Sequence, residues 1–276
     1  MSNKRTDDAR APRRIGILRT VYEYALLYVG LGYLGAMCLA WTPFAIVLHP
    51  LLSAARGRRL GRRVIMAAFR SYTRFLTRIG ACRFDLAALD ALRADGPLIL
   101  APNHPCLLDA VMVISRLPNV ACIMKAGLMD NVFLGAGARL ARYIRNDSPL
   151  RMVTSANADL AAGSHLLIFP EGTRTVQRPV NPLMSSVGLI ARRAKVPVQT
   201  LFIETRSPYL CKGWPLFRKP EMPVTYRVRL GKRFDPPRDV QAFMRELETY
   251  FAGELADAQL PDLPLQAGTR PMSMTT

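Results

Sequence analysis

Residues Tyr24 to Leu48 run for 25 positions without a formally charged side chain, between two strongly basic blocks. Residues 1–20 carry six basic and two acidic side chains, and residues 56–78 carry eight arginines and no acid. About 20 apolar residues cross a bilayer, so the apolar stretch of residues 21–52 is long enough to do so. Basic flanks on both ends oppose a plain crossing, because lysine and arginine favour the cytoplasmic side. A helical hairpin bent near Trp41-Thr42-Pro43 would keep both flanks on one side. Three readings stand: a single span, a re-entrant or interfacial hairpin, and a buried helix of a soluble domain. The stretch is too long for the apolar region of a cleavable signal peptide, and no small-residue cleavage site follows it.

Residues 60–79 continue with helical spacing. Leu60, Val64, Ile65, Tyr72, Leu76 and Ile79 form one stripe, and Arg70, Arg74 and Arg78 form another. A basic amphipathic helix beside an apolar segment suits an anionic lipid surface. The alternative is a core-facing helix with a solvated charged face.

The net charge of +18 fits either nucleic acid or an anionic membrane. A long uncharged run between the basic blocks favours the membrane, so no nucleic-acid partner is expected. The five cysteines are odd in number and widely spaced, with no Cys-x-x-Cys, which argues against a disulfide framework or a zinc site. With three histidines in the chain, no metal site is expected.

From residue 81 the pattern becomes α/β. Strands are expected near 81–87, 97–101, 119–124, 142–145, 165–169, 196–204 and 223–230. Helices are expected near 107–117, 127–141, 151–162, 183–194 and 239–255. Such alternation predicts a mixed, largely parallel sheet covered by helices, with an N-terminal membrane-associated helical segment. The expected organisation is a basic arm (1–20), a membrane-associated helical region (21–79), an α/β domain (80–258) and a disordered tail (259–276).

Two of the expected strands end in charged clusters. Pro97–Ala101 leads into Asn103-His104-Pro105-Cys106-Leu107-Leu108-Asp109, and His165–Phe169 leads into Pro170-Glu171-Gly172-Thr173-Arg174-Thr175. Across a turn, the Asp109 carboxylate can return to the His104 imidazole, fix its tautomer and stabilise the imidazolium formed on proton uptake. Arg174 suits a phosphate, and Gly172 lets backbone N–H groups approach it.

His-x-x-x-x-Asp followed some sixty residues later by Phe-Pro-Glu-Gly-Thr-Arg resembles the glycerolipid (lysophospholipid) acyltransferase family, over roughly residues 80–205. The resemblance implies His104 as general base and Asp109 as its partner. It implies Glu171, Gly172, Thr173 and Arg174 as an acceptor-binding motif, and Arg145, in Tyr143-Ile144-Arg145, as a head-group contact with Arg142 competing. It also implies direct acyl transfer to the hydroxyl of a lysophospholipid, 1-acylglycerol-3-phosphate foremost. No cofactor is expected, because acyl-CoA or acyl-carrier protein is the donor substrate. Cys106 stands where the family often has serine, and its thiol raises the question of a covalent route. Gln199-Thr200 stands where the family repeats Val-Pro after Val196-Pro197-Val198, which puts chain-length preference in question.

The partners expected are thus anionic membrane lipid, a lysophospholipid, and acyl-CoA or acyl-carrier protein. The expected location is the cytoplasmic face of a membrane, a bacterial inner membrane. Other acceptors such as a lyso-ornithine lipid, a thioesterase, and a non-catalytic lipid-binding protein are the competing readings. Tyr209, Leu210, Trp214 and Phe217, interleaved with Lys212, Arg218 and Lys219, suit either an interfacial loop or a surface hairpin.

Overall fold

The computed structural model describes residues 16–256, residue 178 excepted. Residues 1–15 of the expected arm, the last two residues of the expected α/β domain and the whole expected tail (259–276) lie outside the described residues.

Seven strands form one sheet: β1 (Cys82–Asp85), β2 (Ile99–Pro102), β3 (Val120–Met124), β4 (Ile144–Arg145), β5 (His165–Leu167), β6 (Val198–Glu204) and β7 (Val224–Phe234). Their order is β1-β7-β6-β2-β5-β3-β4, and every pair is parallel except β6 with β7. All seven expected strands are present. β2 and β5 are buried along their whole length, which explains why they read as continuous apolar runs. Successive side chains point to opposite faces. Leu100, Leu201 and Ile203 therefore join one core cluster, while Ile99, Ala101 and Phe202 join another.

Helices cover both faces. α3 (Asp109–Ile114) packs in the first cluster, together with Tyr72 and Leu76 of the N-terminal helices. α6 (Pro149–Ala161), α7 (Ser186–Ala194) and α8 (Val240–Ala256) supply Met152, Val187, Ile190, Phe243, Leu247 and Phe251 to the second. The expected helix 127–141 is divided into α4 (Ala126–Asp130) and α5 (Val132–Leu140). A short 3-10 helix, Ala87–Ala94, stands before β2 and was not foreseen.

In the N-terminal region the bend near Trp41-Thr42-Pro43, one of the three readings open from the sequence, is not observed. α1 (Ile17–Leu51) continues through Pro43 as one helix of 35 residues. It is long and apolar enough to cross a membrane, and most of it is exposed. Proline removes a backbone donor and normally kinks a helix, but here α5 splints the position. Ala45 packs with Ala136 and Leu140 of α5, with Trp41 and Leu48 beside them. The chain reverses instead at Leu52-Ser53, where the Ser53 hydroxyl accepts from the Arg56 N–H at the start of α2 (Ala54–Arg78). α2 then returns along α1, with the Tyr33 hydroxyl 2.7 Å from that of Ser71 and the Tyr33 and Phe75 rings stacked at 4.1 Å.

Early in α2 the buried face is Gly57, Gly61 and Arg62, while Leu60 is exposed. The reason is close approach: a Cβ on Gly61 would lie 2.6 Å from the Ala141 backbone nitrogen. The Arg62 guanidinium, 2% exposed, is bound to Asp159 at 3.0 Å, Ser164 Oγ at 2.8 Å and Asn119 Oδ1 at 3.1 Å. A buried charge is tolerated only when paired and hydrogen-bonded, and this network pins α2 to the sheet.

Candidate active site

β2 and β5 are hydrogen-bonded neighbours, with Leu100 opposite Leu167, so the two charged loops that follow them lie side by side. Asn103 closes the first loop onto β6: its amide donates to Ile203 O at 3.1 Å, and its Oδ1 accepts from Ile203 N–H at 2.7 Å. Three residues of the second loop then grip His104. Glu171 Oε1 accepts its backbone N–H at 2.9 Å, its carbonyl accepts from Thr175 N–H at 2.8 Å, and Phe169 stacks on its ring at 3.8 Å.

His104 Nδ1 lies 2.7 Å from Asp109 Oδ2. Asp109 is fully buried at the first residue of α3, while the imidazole keeps 17% exposure. A carboxylate offers only acceptors, so Nδ1 carries the proton and Nε2 is the free basic nitrogen. No described residue bonds that nitrogen, which suits it to take a proton from a bound hydroxyl.

Cys106 also turns toward Asp109. Its backbone N–H donates to Oδ2 at 2.8 Å and its thiol to Oδ1 at 2.9 Å. Burial, reinforced by the neighbouring carboxylate, pushes the thiol well above its ordinary pKa. A buried, protonated thiol that donates to Asp109 is a poor nucleophile; its place is structural.

Glu171 is a clamp. Its Oε1 also accepts from the Thr175 hydroxyl at 2.8 Å, and Oε2 accepts from Asn181 N–H at 3.0 Å. Burial raises its carboxyl pKa, and these three donors partly offset the shift. Gly172 sits at φ +64, and a Cβ there would come within 2.2 Å of Met184 Sδ. Thr173, beside it, has no side-chain partner among the described residues.

Arg174 is half-buried. Its Nη1 donates to the carbonyls of Leu210 and Cys211, both at 2.8 Å, and Nε and Nη2 have no partner among the described residues. Arg145 is not brought into the cluster. It lies on β4, separated from β2 by β5 and β3, and pairs with Asp130 at 2.6 Å and Asp147 at 2.8 Å. Arg142, the competing candidate, is turned to His49. Gln199 and Thr200 are spent at the β6–β7 bulge, where they donate to the carbonyls of Gly231 and Lys232.

Asn103, Asn181 and the backbone carbonyls of Leu210 and Cys211 were given no role from sequence. Of these only Asn103 carried a signal, as the first residue of the first charged cluster.

An acyltransferase family model matches residues 83–204, the stretch that holds both loops. Over these residues the chain is similar to acyltransferase-family proteins. The curated protein named "Putative 1-acyl-sn-glycerol-3-phosphate acyltransferase acl-2", from Caenorhabditis elegans, is 30% identical over 129 residues. That match covers 44% of this chain and 46% of the relative, so the chain spans about half the length of the curated protein it matches. The crystal structure of the 1-acyl-sn-glycerophosphate acyltransferase PlsC from Thermotoga maritima superimposes with a TM-score of 0.62 at 17% identity. It covers 87% of this chain and 95% of that one, so the fold shared with PlsC extends beyond the residues that match the family model.

Proposed function

We propose that the chain is a membrane-associated O-acyltransferase that moves a fatty acyl group from a thioester to the free hydroxyl of a lysophospholipid. The favoured acceptor is 1-acylglycerol-3-phosphate, giving phosphatidic acid. The observation that carries this reading is the His104–Asp109 pair at 2.7 Å, with the Glu171–Arg174 loop bonded beside it.

In this mechanism His104 Nε2 takes the proton of the acceptor hydroxyl. The freed oxygen attacks the thioester carbonyl carbon, a C–O bond forms and the C–S bond breaks. The departing thiolate takes the proton back from the imidazolium. Asp109 holds the ring and stabilises its charge while the proton resides there. Transfer is direct, since the buried Cys106 thiol is ill suited to form an acyl-enzyme. Arg174, with Nη1 anchored, offers Nε and Nη2 to the acceptor phosphate. The head group is assigned to Arg174 rather than to Arg145, which two carboxylates already hold. Acyl-CoA or acyl-carrier protein acts as a substrate, and no other cofactor enters.

The acceptor reaches the site from the lipid surface. α1 presents exposed Ile17, Leu18, Val21, Leu39, Phe44 and Val47, side chains that each gain about 1.5–3 kcal/mol on full transfer from water. The cytoplasmic leaflet fits best, because the basic blocks would face its anionic lipid and the thioester is supplied from that side.

The test is thiol release from palmitoyl-CoA by detergent-solubilised protein, with and without 1-acylglycerol-3-phosphate, beside His104→Ala. Release that needs both the acceptor and His104 is expected. Acceptor-independent release would make the protein a thioesterase. Release only with a lyso-ornithine lipid would keep the chemistry and change the acceptor.

A further inference from the structure

We infer that residues 205–219, between β6 and β7, form an interfacial strap that sits on the lipid surface beside α1 and sets the position of Arg174. The inference rests on the proposed lysolipid acceptor and assigns Lys219 and Glu23 as positioning residues.

The inner end of the strap is tied to the active site. Leu210 has a positive φ of 61°, an unusual backbone for a branched residue. This conformation accompanies two adjacent carbonyls, Leu210 and Cys211, that both accept from Arg174 Nη1. Both protons of that nitrogen are thereby committed to the strap, so the strap orients the guanidinium. The Leu210 carbonyl also accepts from Leu107 N–H at 3.1 Å, within the loop that carries His104.

The outer end is tied to the apolar helix. Glu23 is the single acid of α1 and is 2% exposed. Lys219 reaches it from the strap, and Arg19 pairs with it at 3.0 Å one turn away. Burying a lone carboxylate is costly, so this pair joins helix and strap where they meet. The Phe217 ring stacks on Tyr28 at 6.2 Å, and Lys219 lies 5.9 Å from the centre of the Tyr24 ring.

The strap's outward surface matches a membrane interface. Leu216 and Phe217 are 44% and 62% exposed and continue the exposed apolar surface of α1 through Tyr28. Arg218 lies 5.0 Å over the Trp214 ring, and Lys212 is exposed nearby. Apolar and aromatic side chains flanked by cations fit the boundary of an anionic bilayer. Seating α1 and the strap together would hold Arg174 where a lysolipid phosphate emerges.

The chain has two tryptophans, so Trp41→Phe leaves Trp214 as the sole reporter in the strap. In that background, Trp214 fluorescence is measured on anionic vesicles carrying brominated acyl chains. Equilibrium binding of 1-oleoylglycerol-3-phosphate and both Michaelis constants are measured beside it. We expect Trp214 to be quenched, and Phe217→Ser to reduce quenching without touching the buried pair. Lys219→Met should weaken acceptor binding roughly twofold to thirtyfold and raise the acceptor KM, with the donor KM unchanged. Glu23→Gln combined with Lys219→Met should recover much of that loss, because neither buried charge is then stranded. Unquenched Trp214 in vesicle-bound protein would overturn the interfacial seat. Unchanged acceptor binding in folded Lys219→Met would overturn the positioning role. Acceptor binding is read without turnover, so a protein that binds lysolipid through Lys219 but transfers nothing would sink the acyltransferase reading and leave the strap standing.

Discussion

Replacing Asp109 by asparagine separates the charge of the buried carboxylate from its shape. Oδ2 faces two N–H donors, His104 Nδ1 at 2.7 Å and the Cys106 backbone nitrogen at 2.8 Å. Oδ1 receives the Cys106 thiol at 2.9 Å. A backbone N–H cannot accept, so the amide oxygen must take the Oδ2 place and its NH2 must face the sulfur, which can turn and accept weakly. The imidazole then keeps both its tautomer and its position. What is lost is the attraction between a carboxylate and the imidazolium formed as the acceptor hydroxyl gives up its proton. A hydrogen bond to a charged partner contributes about 1.5–3 kcal/mol and a neutral one about 1 kcal/mol. The difference is about 0.5–2 kcal/mol, and at tenfold per ~1.4 kcal/mol kcat should fall about two- to thirtyfold. The acceptor KM should barely change. A flipped amide that forced the wrong tautomer would instead cost about 10⁴-fold. The assay is initial-rate thiol release at saturating lysolipid, with thermal unfolding to confirm the fold. A loss near 10⁴-fold in a folded protein would refute the claim that the Cys106 N–H fixes the amide, and an unchanged kcat would remove Asp109 from the proton transfer.

Cys106→Ser should keep most of the activity, because a hydroxyl can donate to Asp109 Oδ1 from the same place; a folded but inactive variant would reopen the covalent route. Arg62→Met should destabilise the protein by about 3 kcal/mol in urea unfolding, the low end for breaking a buried pair, since Arg58 still holds Asp159 at 2.8 Å. A cost under about 1 kcal/mol would show that Arg62 does not anchor α2. Burial raises the folded pKa of Glu171 above its unfolded value of 4.5. Stability from this group is therefore present below that value and lost as pH rises through the folded pKa. Thermal stability followed upward from about pH 4 should decline more steeply in the native protein than in Glu171→Gln; equal slopes would show that Glu171 titrates normally.

The positions of His104 and Arg174 could be foreseen for a reason that lies in the sheet. β2 and β5 are covered on both faces, so each appears in the sequence as an unbroken apolar run, and the polar cluster after it marks the strand end. Parallel neighbours must deliver both clusters to the same edge. Nothing comparable marks Arg62. An arginine in a basic stretch reads as solvated, and it is buried because Asn119, Ala141, Asp159 and Ser164 converge on it from separate segments. The bend at Pro43, one of three readings of that segment, fails likewise: proline penalises the helix locally, but α5, some ninety residues on, supports it there, as the bond from the Thr42 hydroxyl to the Phe133 carbonyl at 3.1 Å records. Arg145 illustrates the converse. The family resemblance implied a head-group role for it, yet Asp130 and Asp147 pair with it, and only Asp147 was close enough in sequence to raise that reading. Local pattern therefore located groups whose bond lies within one loop, as that between His104 and Asp109 does. It left undetermined the groups whose role depends on a distant partner. Arg174 belongs to both kinds: its motif marks it as an anion binder, while its orientation depends on two carbonyls about thirty-six residues away. A substitution in the strap is therefore the sharper probe of acceptor recognition than one in the motif itself.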